Sequence, residues 1–213
     1  MQDGFVKVAA LTPQVRVADV AFNVDACVAA ATQAVTEDAA SLVVLPELAV
    51  TGYTCEDLFW QDALLDAAER GVADFAERTA QLDALIVLGA PVRANGKLYN
   101  CGVAVCAGTV LGIVPKVEVP MYNEFYEGRH FAAGPREVTR VDFAGRLDVP
   151  FGADQLFSCE ELPDLVVAAE VCEDLWVPRP PSADHALAGA TVVCNLSASD
   201  ELVGKSSYRR DLV

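Results

Sequence analysis

The sequence predicts a layered α/β domain, and three observations carry that prediction. Through the first half, short apolar runs rich in β-branched residues alternate with stretches of helical periodicity. Hairpin signals replace that alternation in the second half. Three chemically distinct side chains, Glu47, Lys116 and Cys172, each lie just past an apolar run, the position at which open α/β sheets build ligand sites.

The elements follow in order. Residues 5–10 read as a first strand. Val24, Cys27, Val28, Ala31 and Val35 then recur at helical spacing, with Asn23 placed as the cap. Residues 42–45 are fully apolar and end at Pro46, which marks a buried second strand. A long helix is predicted over 57–81, with Phe59, Leu64, Leu65, Ala68, Val72, Phe75 and Ala76 as its apolar face and a break at Gly71. Residues 84–92 form a third strand, and 99–106 with 110–114 flank a hairpin at Ala107-Gly108-Thr109. A polar and aromatic loop over 117–135 closes at Gly134-Pro135. Shorter strands are expected at 138–143 and 156–159, a buried strand at 165–171, a short helix at 182–189 and a last strand at 190–196. With no repeat or linker, residues 1–213 read as one domain. The final stretch, 208–213, is helix-like without a C-terminal cap, so the expectation is a C-terminally truncated domain.

Composition narrows the classes. The chain has 213 residues, enough for one sizeable core, and no uninterrupted apolar stretch long enough to cross a bilayer although 53% of it is hydrophobic. Its start lacks the basic-then-apolar pattern of a signal peptide. Seven cysteines, an odd number, argue for reduced thiols and a cytoplasmic protein. A net charge of −16, spread along the chain, disfavours nucleic acid and anionic membranes as partners.

Cys172, in EVCEDLWVP, ends the apolar run 165–169 and is placed to be a nucleophile at a sheet edge. A nucleophilic thiol needs a base. The two histidines, His130 and His185, sit in no recognisable cysteine–histidine signature, which leaves a carboxylate. Glu47, directly after Leu42-Val-Val-Leu-Pro, suits that role, and Lys116, after Leu111-Gly-Ile-Val-Pro, suits stabilisation of an oxyanion and a lowered thiol pKa. Each residue taken alone is more simply read as a packed thiol, a loop glutamate or an exposed lysine. Other chemistries fare worse: there is no Cys-x-x-Cys pair, Cys101 and Cys106 are not spaced for zinc, no Gly-rich loop follows the first strand, and Gly-x-Ser-x-Gly is absent. Cys27, Cys55, Cys106 and Cys194 read as core, and Trp60 and Trp176 as packing residues, the latter near enough to wall a site.

PELAVTGY (46–53), PKVEVPMYNEFYEGRHF (115–131), FGADQLF (151–157), the block 162–199 and the later Tyr-Arg-Arg resemble the carbon–nitrogen hydrolase (nitrilase) superfamily, and within it the glutaminase domains of glutamine-dependent NAD synthetases. The resemblance implies a four-layer α-β-β-α sandwich, assembled as a homo-oligomer through its helical faces. It implies Glu47 as general base, Lys116 as oxyanion stabiliser, Cys172 as nucleophile and Glu127 as a second glutamate orienting the lysine. Tyr122, Glu173 and Ser199 fall where that family contacts glutamine. The implied reaction is glutamine amide hydrolysis through a thioester, supplying ammonia to amidate deamido-NAD in a synthetase domain of the same polypeptide. No cofactor is implied for this segment; ATP and magnesium are expected for the synthetase domain, whose pyrophosphatase loop this sequence lacks. A free-standing amidase for another small amide and an inactive truncated scaffold remain as alternatives.

Overall fold

A computed structural model describes residues 5–213; residues 1–4, part of the segment read for a leader, lie outside the described residues. The first half alternates as expected: β1 (Val8–Ala10), α1 (Val20–Thr36), β2 (Leu42–Val44), α2 (Asp62–Arg78), β3 (Leu85–Ala94). The hairpin β4 (Lys97–Cys106) and β5 (Thr109–Pro115) follows. The second half adds β6 (Thr139–Phe143), β7 (Arg146–Phe151), β8 (Phe157–Ser158), β9 (Val166–Val171), α3 (Pro181–Leu187), β10 (Val192–Leu196) and α4 (Lys205–Leu212).

The strands form two sheets, a seven-stranded one ordered β1-β2-β3-β4-β5-β7-β6 and a three-stranded one ordered β10-β9-β8. Strands β1, β2 and β3 run parallel, as do β9 and β10, whereas β3-β4-β5 is an antiparallel meander. Side-chain alternation along each strand divides the core in two. Val43, Ile86, Leu88 and Val103 face the helices and pack with Cys27, Ala31, Val72 and Phe75. Their neighbours Leu42, Val87 and Val114 face the other way and pack with Val167, Ala169, Cys194 and Leu196 of the small sheet. On the outer side of that sheet, Glu170 of β9 accepts the Ser182 N–H of α3 at 3.0 Å. The layers are therefore helix, sheet, sheet, helix, as the resemblance implied.

Several local expectations are corrected. Asp19, not Asn23, caps α1, its carboxylate accepting the Phe22 N–H at 3.2 Å. Asn23 lies a turn further in, buried, where its amide donates to the carbonyls of Arg16 and Val50 at 2.8 and 3.1 Å. The long second helix is split at Gln61, whose extended backbone separates a 3-10 turn, Glu56–Trp60, from α2. Gly71 does not break α2: a β-carbon there would lie 2.8 Å from a Val20 methyl, so the residue lets α1 and α2 cross closely. Strand β7 escaped prediction because Asp148 and Pro150 interrupt its apolar pattern, leaving only Val149 and Phe151 buried near its end. Cys106 is only half-buried, and Trp60 is 57% exposed, so neither is core. Trp176 stacks on Tyr208 of α4, ring centroids 5.5 Å apart, and so helps anchor that helix. Among the described residues no helix is long and apolar enough to cross a membrane.

Candidate active site

Four strand ends and loops deliver one polar cluster into an otherwise apolar interior. Glu47 follows β2, in a loop lying across β3. Lys116 follows β5 directly, its N–H bonded to the Asn100 carbonyl of β4 at 2.8 Å. Glu127 opens a 3-10 turn, Glu127–Arg129, within the loop after Lys116. Cys172 directly follows β9 with φ of +45°, a left-handed conformation rare for a side-chain-bearing residue, and begins the 3-10 turn Cys172–Trp176.

The structure brings Glu47, Lys116, Glu127 and Cys172 together, all buried. Lys116 Nζ donates to Glu47 Oε1 at 2.8 Å and Glu127 Oε1 at 2.7 Å. Among the described residues those are its acceptors, which leaves one N–H of the ammonium. The Cys172 thiol accepts the Ser197 hydroxyl at 3.2 Å. Asn195, of β10, donates to the Cys172 carbonyl at 3.3 Å and to Glu170 at 3.2 Å, holding the strained residue from the neighbouring strand.

Protonation follows from burial and these partners. Desolvation raises the pKa of Glu47 and the charge of Glu127 adds to it, while Lys116 and the Ala198 N–H oppose the rise. Burial by itself would lower the pKa of Lys116, but the two carboxylates outweigh it and hold the ammonium protonated. The Cys172 thiol is pushed up to about 12, by burial first and then by Glu47. Lys116 does pull the thiol down, as its sequence position predicted, but not by enough. The resting thiol is therefore neutral beside a buried carboxylate, and any attack by it would have to be coupled to proton transfer.

Of the remaining predicted residues, Tyr122 and Glu173 meet at the exposed side, the phenol donating to both carboxylate oxygens at 2.9 and 2.8 Å. Ser199 accepts a hydrogen bond from Lys205 Nζ at 2.6 Å. It lines, with Tyr53, Glu124, Tyr126 and Glu127, a cavity of about 330 Å³. Among the described residues no group of three or more His, Cys, Asp or Glu side chains is arranged to hold a metal.

Besides Ser197 and Asn195, sequence reasoning missed four further contributors. Tyr53 donates to Glu127 Oε1 at 2.7 Å. Asn100 donates to Glu47 Oε1 at 2.7 Å and Glu127 Oε2 at 3.3 Å. The Ala198 N–H donates to Glu47 Oε2 at 3.0 Å. Asp174 accepts the N–H groups of Val117, Glu118 and Val171, so one buried carboxylate ties the lysine loop to the nucleophile strand. Asn100 was detectable as an amide inside the apolar run LYNCGVAV, since a buried polar side chain demands partners. The backbone donor of Ala198 left no signal.

A thiol, a carboxylate and an ammonium meet at the strand ends of an α-β-β-α sandwich, the arrangement of a cysteine hydrolase. The profile of the family described as carbon-nitrogen hydrolase matches residues 7–212, and the chain belongs to that family. It is 46% identical over 209 residues to a glutamine-dependent NAD(+) synthetase of Mycobacterium tuberculosis, a match covering 98% of this chain and 30% of the relative. The crystal structure of a glutamine-dependent NAD(+) synthetase from Cytophaga hutchinsonii superposes with a TM-score of 0.85 at 32% identity, covering 98% of this chain and 33% of that one. An amidase from Nesterenkonia sp. shares the fold, with a TM-score of 0.66 at 22% identity over 92% of this chain and 66% of its own. The chain thus spans about a third of the length of the synthetases it matches.

Proposed function

We propose that this domain hydrolyses the side-chain amide of glutamine through a cysteine thioester. The ammonia would amidate deamido-NAD in a synthetase domain of the same polypeptide, where ATP and magnesium would act. The observation that carries the reading is Lys116, fixed between Glu47 and Glu127 with one N–H left, beside a neutral thiol. The choice of glutamine is supported by the identity to relatives named glutamine-dependent NAD(+) synthetases.

Glu47 takes the Cys172 proton as the sulfur attacks the amide carbon. The remaining Lys116 N–H, with the backbone N–H of Glu173, holds the oxyanion. Glu47 returns the proton to the nitrogen, the C–N bond breaks, ammonia leaves and a thioester remains. Water, deprotonated by Glu47, adds to the thioester; its collapse releases glutamate, and the sulfur recovers the proton. These steps use only protein groups and water. The exposed Tyr122–Glu173 pair offers a carboxylate to the substrate α-ammonium, and Ser199 a hydroxyl at the cavity wall. Assembly as a homo-oligomer through the helical faces belongs to the same reading.

Intact-protein mass after exposure to a glutamine-mimicking electrophile tests it. One adduct on the wild-type chain, absent in Cys172→Ala and blocked by excess glutamine, is the expected result. An adduct that glutamine does not block, but another amide does, would replace glutamine as substrate. A folded protein with no adduct would overturn the site.

A further inference from the structure

Asn100 lies in the middle of β4, 1% exposed, with its side chain among the ionised groups. Its amide nitrogen reaches two carboxylates from different loops, Glu47 Oε1 and Glu127 Oε2. Its carbonyl oxygen is buried and has no partner among the described residues. An unpaired buried acceptor is costly, yet the opposite amide orientation would aim that oxygen at two carboxylates. The carboxylates therefore fix the orientation of Asn100, and Asn100 in turn braces them.

The consequence lies in the distribution of donors over Glu47. Oε1 accepts both Lys116 Nζ, at 2.8 Å, and Asn100 Nδ2, at 2.7 Å, which fills its two acceptor positions. Oε2 accepts the Ala198 N–H, which leaves it one further position, and the Cys172 thiol is within hydrogen-bonding reach of this carboxylate. Resting on the reading of Glu47 as general base, we infer that Asn100 is a positioning residue that saturates Oε1 and so directs the thiol proton to Oε2. Without this brace, a proton captured on Oε1 would sit between Lys116 and β4, from where it does not return to the leaving nitrogen. Asn100 also favours the ionised form of Glu47 by donating to it. The other charged or titratable groups around Glu47 are Lys116 from β5, Glu127 from its 3-10 turn with Tyr53 behind it, and Cys172 from β9.

Asn100→Leu, close in shape and lacking a donor, is the test, measured on the full chain in two ways. The first is the pH dependence of Cys172 alkylation by iodoacetamide, which needs no glutamine. The second is steady-state glutamine hydrolysis. The acid limb of alkylation is expected to move upward by about one pH unit in the variant. Expected with it is a kcat about tenfold to a hundredfold lower, the size of effect seen when groups orienting a functional ligand are removed. KM stays unchanged, since Asn100 touches Glu47 and Glu127 and not substrate. Should the leucine variant not fold, Asn100→Ser decides: it keeps one donor, and its acid limb should fall between those expected for the wild type and for full donor loss. A wild-type acid limb in a folded variant overturns the inference. Wild-type protein that alkylates at Cys172 but leaves glutamine intact overturns the substrate reading alone, because the alkylation profiles still report on Asn100.

Discussion

Gly89 on β3 runs directly beneath the Glu47 loop, so close to Pro46 that a β-carbon on Gly89 would lie 2.1 Å from the Pro46 carbonyl oxygen and 2.5 Å from the Leu48 nitrogen. Glu47 is thus seated on the sheet by a close approach of two backbones that only glycine permits. The Val50 N–H bonds the Gly89 carbonyl at 3.1 Å and completes the seat.

Gly89→Ala should therefore displace Glu47 while leaving the other catalytic groups in place. Displacement of a reacting group by about 1 Å costs on the order of a hundredfold in rate. Overpacking here should also cost about 1–3 kcal/mol of stability. Turnover together with denaturant unfolding checks both. Wild-type kcat in this variant would mean that the loop position does not set the base.

Glu47→Gln removes the base and leaves the thiol. Turnover should fall by about 10²–10⁴, and no acyl-enzyme should accumulate in intact mass. Because Glu47 raises the thiol pKa, the variant thiol should titrate at lower pH than the wild type, read from the ultraviolet absorbance of the thiolate. Thioester formation at the wild-type rate would remove Glu47 from the base role.

Lys116→Met leaves two buried carboxylates without their cation. Breaking a buried pair in this way costs about 3–5 kcal/mol, so the variant should lose stability as well as activity. With Lys116 gone, Glu47 holds its proton to still higher pH in the folded state than unfolded. The folded chain then binds more protons in that window, and stability recovers as pH falls. Urea midpoints across an acid-to-neutral series give the sign; a pH-independent loss would contradict the buried triad.

Asp174 gives a second pH signature. Burial pushes its carboxyl up to about 7 from an ordinary 3.8, against the pull of three backbone N–H groups. Between those values the folded chain keeps a proton that the unfolded chain has lost, so stability falls as pH rises through the window, by at most about 1.4 kcal/mol per pH unit. Asp174→Asn should flatten that slope, and it should lower kcat by loosening the link between Lys116 and Cys172. Unfolding midpoints of both proteins over the window measure the difference in slope.

The sequence by itself determined the alternation of strands and helices, and the strand-end positions of Glu47, Lys116 and Cys172. Those are local properties: periodicity over a few residues, and an apolar run ending at a proline or an acidic turn. Its resemblance to a family added the four layers and Glu127. Contacts between distant segments were decided only in the folded chain. Gly71 read as a helix break because its partner, Val20, lies on another helix. Asp148 and Pro150 hid β7 because the burial of Val149 and Phe151 depends on neighbouring strands. Asn100, Asp174 and the Ala198 N–H act across separations of 53, 57 and 151 residues to Glu47, Val117 and Glu47 respectively. The protonation of the site is likewise tertiary. The thiol is neutral and the lysine charged because burial and neighbouring charges, not residue type, set the balance.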